Sequence, residues 1–389
     1  MTEPLTSRPT LIWKARTLVP SSLRDAMIIS TSAILISLGV FGLFVLCSGV
    51  NPLEVYGLMF RGAFGTAYSW RNTMIHAAPI MLTALCVVLP ARVGLIVIGG
   101  EGCVLLGGLI AALTAHLLPN HSPVFVITMM ILAGCTTGGL WIAAVGAMKL
   151  LRGVNETISS LLLNYIALAI LNHCVEGPMH DPTSLNHPSS WPIGDANMLG
   201  NIPGTQIHLG LAFGIIACIV AAAIMRYTIH GFSSSIIGGN IRAARGVGLN
   251  ITRIVLINCF FGGAAAALTG VVEVAAVHGH ANDSLACGYG YAGILVAFVA
   301  RQNPLAVIPV AILLGGAAGS GDLLQAQVGL SSATIQVFQG VLFLMILALD
   351  TWAGRMGELP KARFARPVVW LANALTRGQF PIGRVGGNV

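Results

Sequence analysis

Long apolar runs, separated by short polar stretches, recur along this chain at intervals that match a membrane span. An apolar α-helix of about 20 residues crosses the hydrocarbon core of a bilayer. At that length the pattern predicts about ten spans, near residues 26–48, 73–90, 94–117, 124–149, 157–174, 208–226, 254–277, 285–300, 304–320 and 333–350. A transmembrane barrel would need alternating strands of about ten residues, a pattern the chain lacks. The fold expected is an all-α polytopic membrane protein.

Two of these spans break the ordinary pattern. One opens on Gly94-Leu95-Ile96-Val97-Ile98-Gly99-Gly100-Glu101-Gly102, and the other on Cys287-Gly288-Tyr289-Gly290-Tyr291-Ala292-Gly293. Glycine clusters at a span's start, one beside a carboxylate, predict broken or re-entrant helices near 94–102 and 285–293, where backbone lines a cavity. They fall in the two halves of the chain, before and after a long polar stretch at about 175–207. Residues 51–72, with Tyr56, Tyr68 and Trp70, suit an amphipathic segment at the outer membrane surface.

Composition agrees with the pattern. Hydrophobic residues make up 56% of 389 residues, and glycine adds 47. Charged residues are 8%, against about 25% in a soluble domain. The eight cysteines show no metal-ligand spacing and suit small core positions.

Charge supplies the topology. With the N-terminus inside, all 20 Lys and Arg except Arg61 and Arg71 fall on inner segments. The 175–207 loop has no Lys or Arg but carries Glu176, Asp181 and Asp195. This asymmetry predicts an even number of spans with both termini cytoplasmic. It implies a cytoplasmic segment at 1–25, a transmembrane region at 26–350 with an outer loop at 175–207, and a basic tail at 351–389 along the inner membrane surface. The first apolar run, Ala26–Ser48, is long enough to stay as a span rather than be cleaved. The net charge of +7 does not imply nucleic acid, because the basic residues sit in short loops.

The stretch Arg226 to Arg253 is the longest interior polar stretch with net positive charge. Its centre, Gly239 to Asn250, has the makings of a short helix bounded by glycine. Arg242 and Arg245, three apart, share a helical face. They either meet carboxylates on a soluble partner or only set topology.

Within the spans, an ionised side chain costs about 2.5–3.5 kcal/mol or more, so Glu101 and Glu273 need a partner or a water-filled path. Glu101 could contact a solute or bond a nearby helix end. Asn164, polar in mid-span, could bond a sugar hydroxyl or base edge, or hold two helices together. Tyr289 and Tyr291 could stack on a ring or pack at the membrane interface. Asn155 and Glu156 suit a helix cap and first turn. His278 and His280 flank Gly279 without further metal ligands, so they suit a loop.

Four stretches together resemble the permease subunits of bacterial ABC importers for simple sugars and nucleosides, related to the branched-chain amino acid permeases. Gly94 to Gly102 is similar to the family's GLFNIGAEGQ-type segment. Arg152-Gly153-Val154-Asn155-Glu156-Thr157-Ile158, followed by Leu161–Ala167, resembles the RGxNEVIxTLMLNYIA pattern. Gly239 to Asn250 resembles the GxNPxAARxAGIN-type loop that contacts the ATPase. Gly288-Tyr289-Gly290-Tyr291 through Arg301-Gln302-Asn303-Pro304-Leu305 resembles the GYGFxGIAVALLGRNNPLG segment. The likeness runs over residues 73–350 in order. Ile96-Val97 and Cys103 depart from it at positions where the family often has Phe-Asn and Gln.

The resemblance implies a permease subunit that moves a small polar solute inward, most readily a nucleoside or simple sugar, with flavin-like vitamins behind. It implies a bacterial cytoplasmic membrane, a separate ABC ATPase, a second permease chain (homo- or heterodimer) and an outer solute-binding protein. Gly239, Asn240, Arg242, Ala243, Ala244, Arg245, Gly248 and Asn250 would dock the ATPase. Glu101, Asn164, Tyr289, Tyr291 and Glu273 would line the solute pathway. The chain has no phosphate-binding loop and no nucleophile–base pair at recognisable spacing, so it is expected neither to bind ATP nor to be an enzyme, and to need no cofactor. The competing expectation is an ion-coupled secondary transporter using Glu101 or Glu273.

Overall fold

A computed structural model describes residues 23–184 and 188–358. The expected cytoplasmic end segments, 1–25 and 351–389, lie largely outside the described residues. Fourteen α-helices follow in order: α1 Leu23–Cys47, α2 Pro52–Phe64, α3 Ala67–Ala91, α4 Gly100–Leu117, α5 Pro123–Arg152, α6 Glu156–Glu176, α7 Gly210–Tyr227, α8 Ile229–Gly239, α9 Ile241–Gly246, α10 Ile251–Glu273, α11 Tyr289–Val299, α12 Pro304–Gly319, α13 Gly321–Val328 and α14 Ala333–Glu358. No β-strand is present among the described residues. A helix satisfies its backbone internally, which a bilayer demands of any spanning segment.

Every expected span falls on a helix, but not every helix has the length to cross. Seven are long and apolar enough: α3, α4, α5, α6, α7, α10 with the turn after it, and α12 with α13. The pair α1 and α2, bent by 115°, would make an eighth. The apolar stretch Asp283–Val299 is shorter, and α14, 26 residues long, carries the apolar stretch Ala333–Leu349. In the first of these, the chain before Tyr289 is not α-helical, so α11 has only 11 residues, a rise of about 16 Å. It can reach about halfway through a bilayer core of about 30 Å.

The stretch 51–72 forms α2 and the start of α3, each with its own side-chain cap. The Asn51 side chain accepts from Leu53 N, and Thr66 Oγ1 accepts from Ser69 N. Helix α2 is not merely superficial, since it buries Val55, Leu58, Gly62 and Ala63. Gly62 lies against α13, where a Cβ would stand 2.8 Å from that of Ser320.

Helices α4, α5 and α10 form the tightest part of the bundle, and they meet on backbone. A Cβ added to Gly270 would lie 1.9 Å from the Val104 carbonyl oxygen. One on Gly263 would lie 2.1 Å from the Gly138 oxygen, and one on Gly107 2.2 Å from that of Ala267. Between spans no hydrophobic driving force exists, so close van der Waals approach through small residues replaces it.

The 175–207 segment closes one end of this trio as a small cap. Ser190 N donates to the Ala281 oxygen at 2.8 Å, Ile193 N to Gly279 at 2.9 Å and Leu199 N to Ala275 at 2.6 Å. Trp191 stacks on His116 with ring centroids 4.0 Å apart. On its exposed face, Asp181 accepts from the Thr183 N–H and hydroxyl, which holds its carboxyl below the usual range.

Gly270→Ala tests the helix contact. The added methyl overlaps a carbonyl that cannot rotate away, so we expect a loss of about 1–3 kcal/mol. A lowered unfolding temperature of the detergent-solubilised protein would show it, and an unchanged one would contradict the close crossing.

Candidate functional site

The chain leaves helical geometry after Ala91 and regains it at Gly100. Gly94 turns the backbone with φ of +84°, and residues 95–98 run without internal ladder bonds. In an apolar interior their N–H and C=O groups must find partners elsewhere. One face of α6 provides them. Thr157 Oγ1 donates to the Ile96 oxygen at 2.9 Å, and Ile98 N donates to Ser160 Oγ at 3.0 Å. Asn164 Nδ2 donates to the Ile98 oxygen at 3.0 Å, while its Oδ1 accepts from Gly102 N at 2.8 Å. Residues 157, 160 and 164 have the three- and four-residue spacing of a helical face. Gly102 permits the approach, since a Cβ there would be 3.1 Å from the Asn164 Cα.

Glu101 reaches the other break. Its Oε1 accepts from Gly288 N at 2.8 Å and its Oε2 from Gly290 N at 2.6 Å. The buried carboxylate thereby caps the first turn of α11, where the helix dipole also favours negative charge. A Cβ on Gly290 would fall 2.2 Å from Glu101 N, so the two chain segments touch backbone to backbone.

Around this junction stand the other pathway candidates. Tyr289 places its hydroxyl 3.3 Å from His76 Nδ1, and its carbonyl accepts from Thr83 Oγ1 at 2.9 Å. Tyr291, two residues further, is 46% exposed. Glu273 is buried at the end of α10, with His278 Nε2 3.7 Å from its Oε2. A π-turn, Val274–His278, follows it and ends on Gly279 at φ +71°. Such wide turns are frequent at functional sites. Glu101, Asn164 and Tyr289 are thus tied to one junction, with Tyr291 beside it and Glu273 on a neighbouring helix. The sequence reading missed His76, Thr83, Thr157 and Ser160. Polar side chains inside an apolar run were the available signal.

The eight residues expected to dock an ATPase lie apart from this junction. Asn240 caps α9, its Oδ1 accepting from Arg242 N at 2.9 Å and Ala243 N at 3.3 Å. Ala244 points inward and is buried, while Arg242, Ala243 and Arg245 are exposed, as is Val247 beside them. Gly248 turns with φ +78°, and Asn250 caps α10 through Arg253 N at 3.0 Å. Gly239, at the end of α8, is exposed. Its neighbour Gly238 lies on the first break, where a Cβ would stand 2.3 Å from the Arg92 oxygen. Among the described residues, no group of three or more His, Cys, Asp or Glu is placed to hold a metal.

Residues 69–348 match the family of the branched-chain amino acid transport system permease component. The chain belongs to that family. The glucose ABC transporter permease of Haloferax volcanii is 29% identical over 82% of this chain and 86% of its own length. The guanosine ABC transporter permease of Bacillus subtilis is 26% identical over 86% and 97%. A nucleoside ABC transporter permease of Lactococcus lactis is 26% identical over 69% and 76%. As a family member the protein is a multi-pass membrane permease subunit of an ABC importer, a translocation component rather than an enzyme.

Two substitutions test the junction. Asn164→Ala leaves the Ile98 carbonyl and the Gly102 N–H without partners, and Glu101→Gln sets an amide donor against one of two N–H groups. Each is expected to cost about 1–3 kcal/mol. Thermal unfolding in detergent would report the loss; full stability with altered solute affinity alone would make both residues solute contacts instead.

Proposed function

We propose that this permease imports a nucleoside or simple sugar across a bacterial cytoplasmic membrane. An outer solute-binding protein delivers the solute, and a separate ABC ATPase drives transport. The substrate class rests on the relatives, whose names specify glucose, guanosine and nucleosides. In this reading, Tyr289 and Tyr291 offer rings to stack on the solute. Glu273 offers a carboxylate for its hydroxyl or N–H groups. Glu101 and Asn164 act one step back, by holding the two breaks that shape the pathway. A second permease chain completes the translocation unit.

The observation that carries the mechanism is the contact of Gly238 with Arg92 and Gly94. The Arg226–Arg253 loop is assigned to the cytoplasm by the distribution of Lys and Arg. Arg242 and Arg245 project from α9 toward carboxylates of the ATPase. When ATP closes the ATPase pair, α9 and α8 move together. Gly238 then pushes on the Arg92–Gly94 turn, and the stretch 94–99 moves Glu101 and the start of α11. Access to the mid-membrane cavity alternates as a result.

The ion-coupled alternative, which named Glu101 or Glu273, is left with Glu273. Both oxygens of Glu101 are held by backbone N–H groups, which leaves no simple place for a cycling ion.

Paired substitution Arg242→Glu with Arg245→Glu is expected to leave membrane insertion intact and abolish co-purification with the ATPase. A retained complex would refute the docking role. Uptake by intact cells should stop on ATP depletion and persist when the proton gradient alone is collapsed; the reverse pattern would restore the ion-coupled reading.

A further inference from the structure

A groove unconnected with the junction runs along the flank of α5 and α10. Its volume is about 670 Å³, and its walls include Ala143, Thr252, Arg253, Leu256, Phe260 and Phe261. Small residues of α5 create it. A Cβ on Gly139 would come within 2.6 Å of the Phe260 ring, and one on Gly146 within 3.6 Å of the Leu256 side chain. The side chains of α10 therefore lie down on the α5 backbone, and an open trough remains beside them.

The groove is chemically graded. Its polar end holds Asn250, Thr252 and Arg253, and its other end Phe260 and Phe261, the latter 60% exposed. From Arg253 to Phe261 the helix rises about 12 Å, close to the distance from a lipid phosphate into the acyl region. Arg253 is exposed and has no carboxylate partner among the described residues. Of the two basic residues in the last turn of α5, Lys149 is engaged by Glu156 at 2.7 Å, and Arg152 is not among the residues lining the groove. Arg253 thus stands without a carboxylate partner at the polar end of an apolar trough.

We propose that this groove binds one phospholipid with an anionic headgroup. The phosphate sits on Arg253, within reach of the Thr252 hydroxyl, and an acyl chain lies along Leu256, Phe260 and Phe261. Charge complementarity and the matched depth select a lipid over a protein segment, which would have to bring both a carboxylate and an apolar insert at the same spacing. Because Asn250 ends the α9 loop and caps α10, the lipid would sit directly behind the α9–α10 connection.

The test is native mass spectrometry of the intact transporter complex released from nanodiscs of phosphatidylcholine with or without phosphatidylglycerol. The wild type should retain phosphatidylglycerol in preference to phosphatidylcholine. Arg253→Ala should lower that retention about fivefold, the effect of one basic residue at a membrane surface. Ala143→Leu, which fills the trough and keeps the charge, should also remove the bound lipid. Equal retention of the two lipids, or retention unaffected by either substitution, overturns the proposal. So does a photo-crosslinker at Phe261 that captures a second polypeptide instead of lipid, which would make the groove a protein interface.

Discussion

A backbone amide inside a bilayer has no water to turn to, and this chain interrupts its helices there twice. The structure depends on how those interruptions are satisfied. Glu101 accepts the N–H groups of Gly288 and Gly290, and α6 accepts from and donates to the stretch 96–102. Each unmet group would cost several kcal/mol in hydrocarbon. One carboxylate therefore joins the two breaks, and one asparagine ties the first of them to α6. The short α11 can exist as a half-length helix only because its first turn is capped from α4.

Around that junction the frame is built of close crossings. Helices α4, α5 and α10 touch through Gly107, Gly138, Gly263 and Gly270, with backbone carbonyls in contact and no side chain larger than that of Ala267 at the closest approach. Gly290 brings the start of α11 against α4 in the same way, so that Glu101 reaches the amides of its first turn. The same economy of side chains on α5 leaves the trough beside α10. Packing and pathway are thus parts of one arrangement: small residues set the distances, and a few polar groups use them.

Much of this was legible in the chain. The apolar runs located every helix that could span, because burial in lipid writes itself directly into composition. The glycines at 94–102 and 285–293 located both breaks, because few other residues tolerate such backbone. The partners of the breaks were not legible. Glu101 and the Gly288–Gly290 amides are 187 and 189 residues apart, and no local pattern encodes that meeting. Asn164 is conspicuous as a polar residue in mid-span, but Thr157 and Ser160 are common in helices, and only the fold shows that all three share the face turned to the break. Of the ten spans expected, seven helices, or eight with the bent pair, have the length and apolar character to cross among the described residues; α11 is apolar enough, but the chain just before Tyr289 is not α-helical. Residues 51–72 form α2 and the start of α3; α2 buries Val55, Leu58, Gly62 and Ala63 on one face, while Leu53, Phe60, Tyr68 and Trp70 are exposed.

The contact between Gly238 and the Arg92–Gly94 turn has a mechanical consequence. Side chains at a joint are springs: rotamers give by an ångström or more before a push is felt beyond them. Here peptide plane rests on peptide plane, and peptide planes and bond angles resist distortion steeply. Such a joint has little slack. Displacement of the loop would arrive at the broken segment almost undiminished, so the length of the transport stroke would be decided where the loop is gripped, and not dissipated on the way.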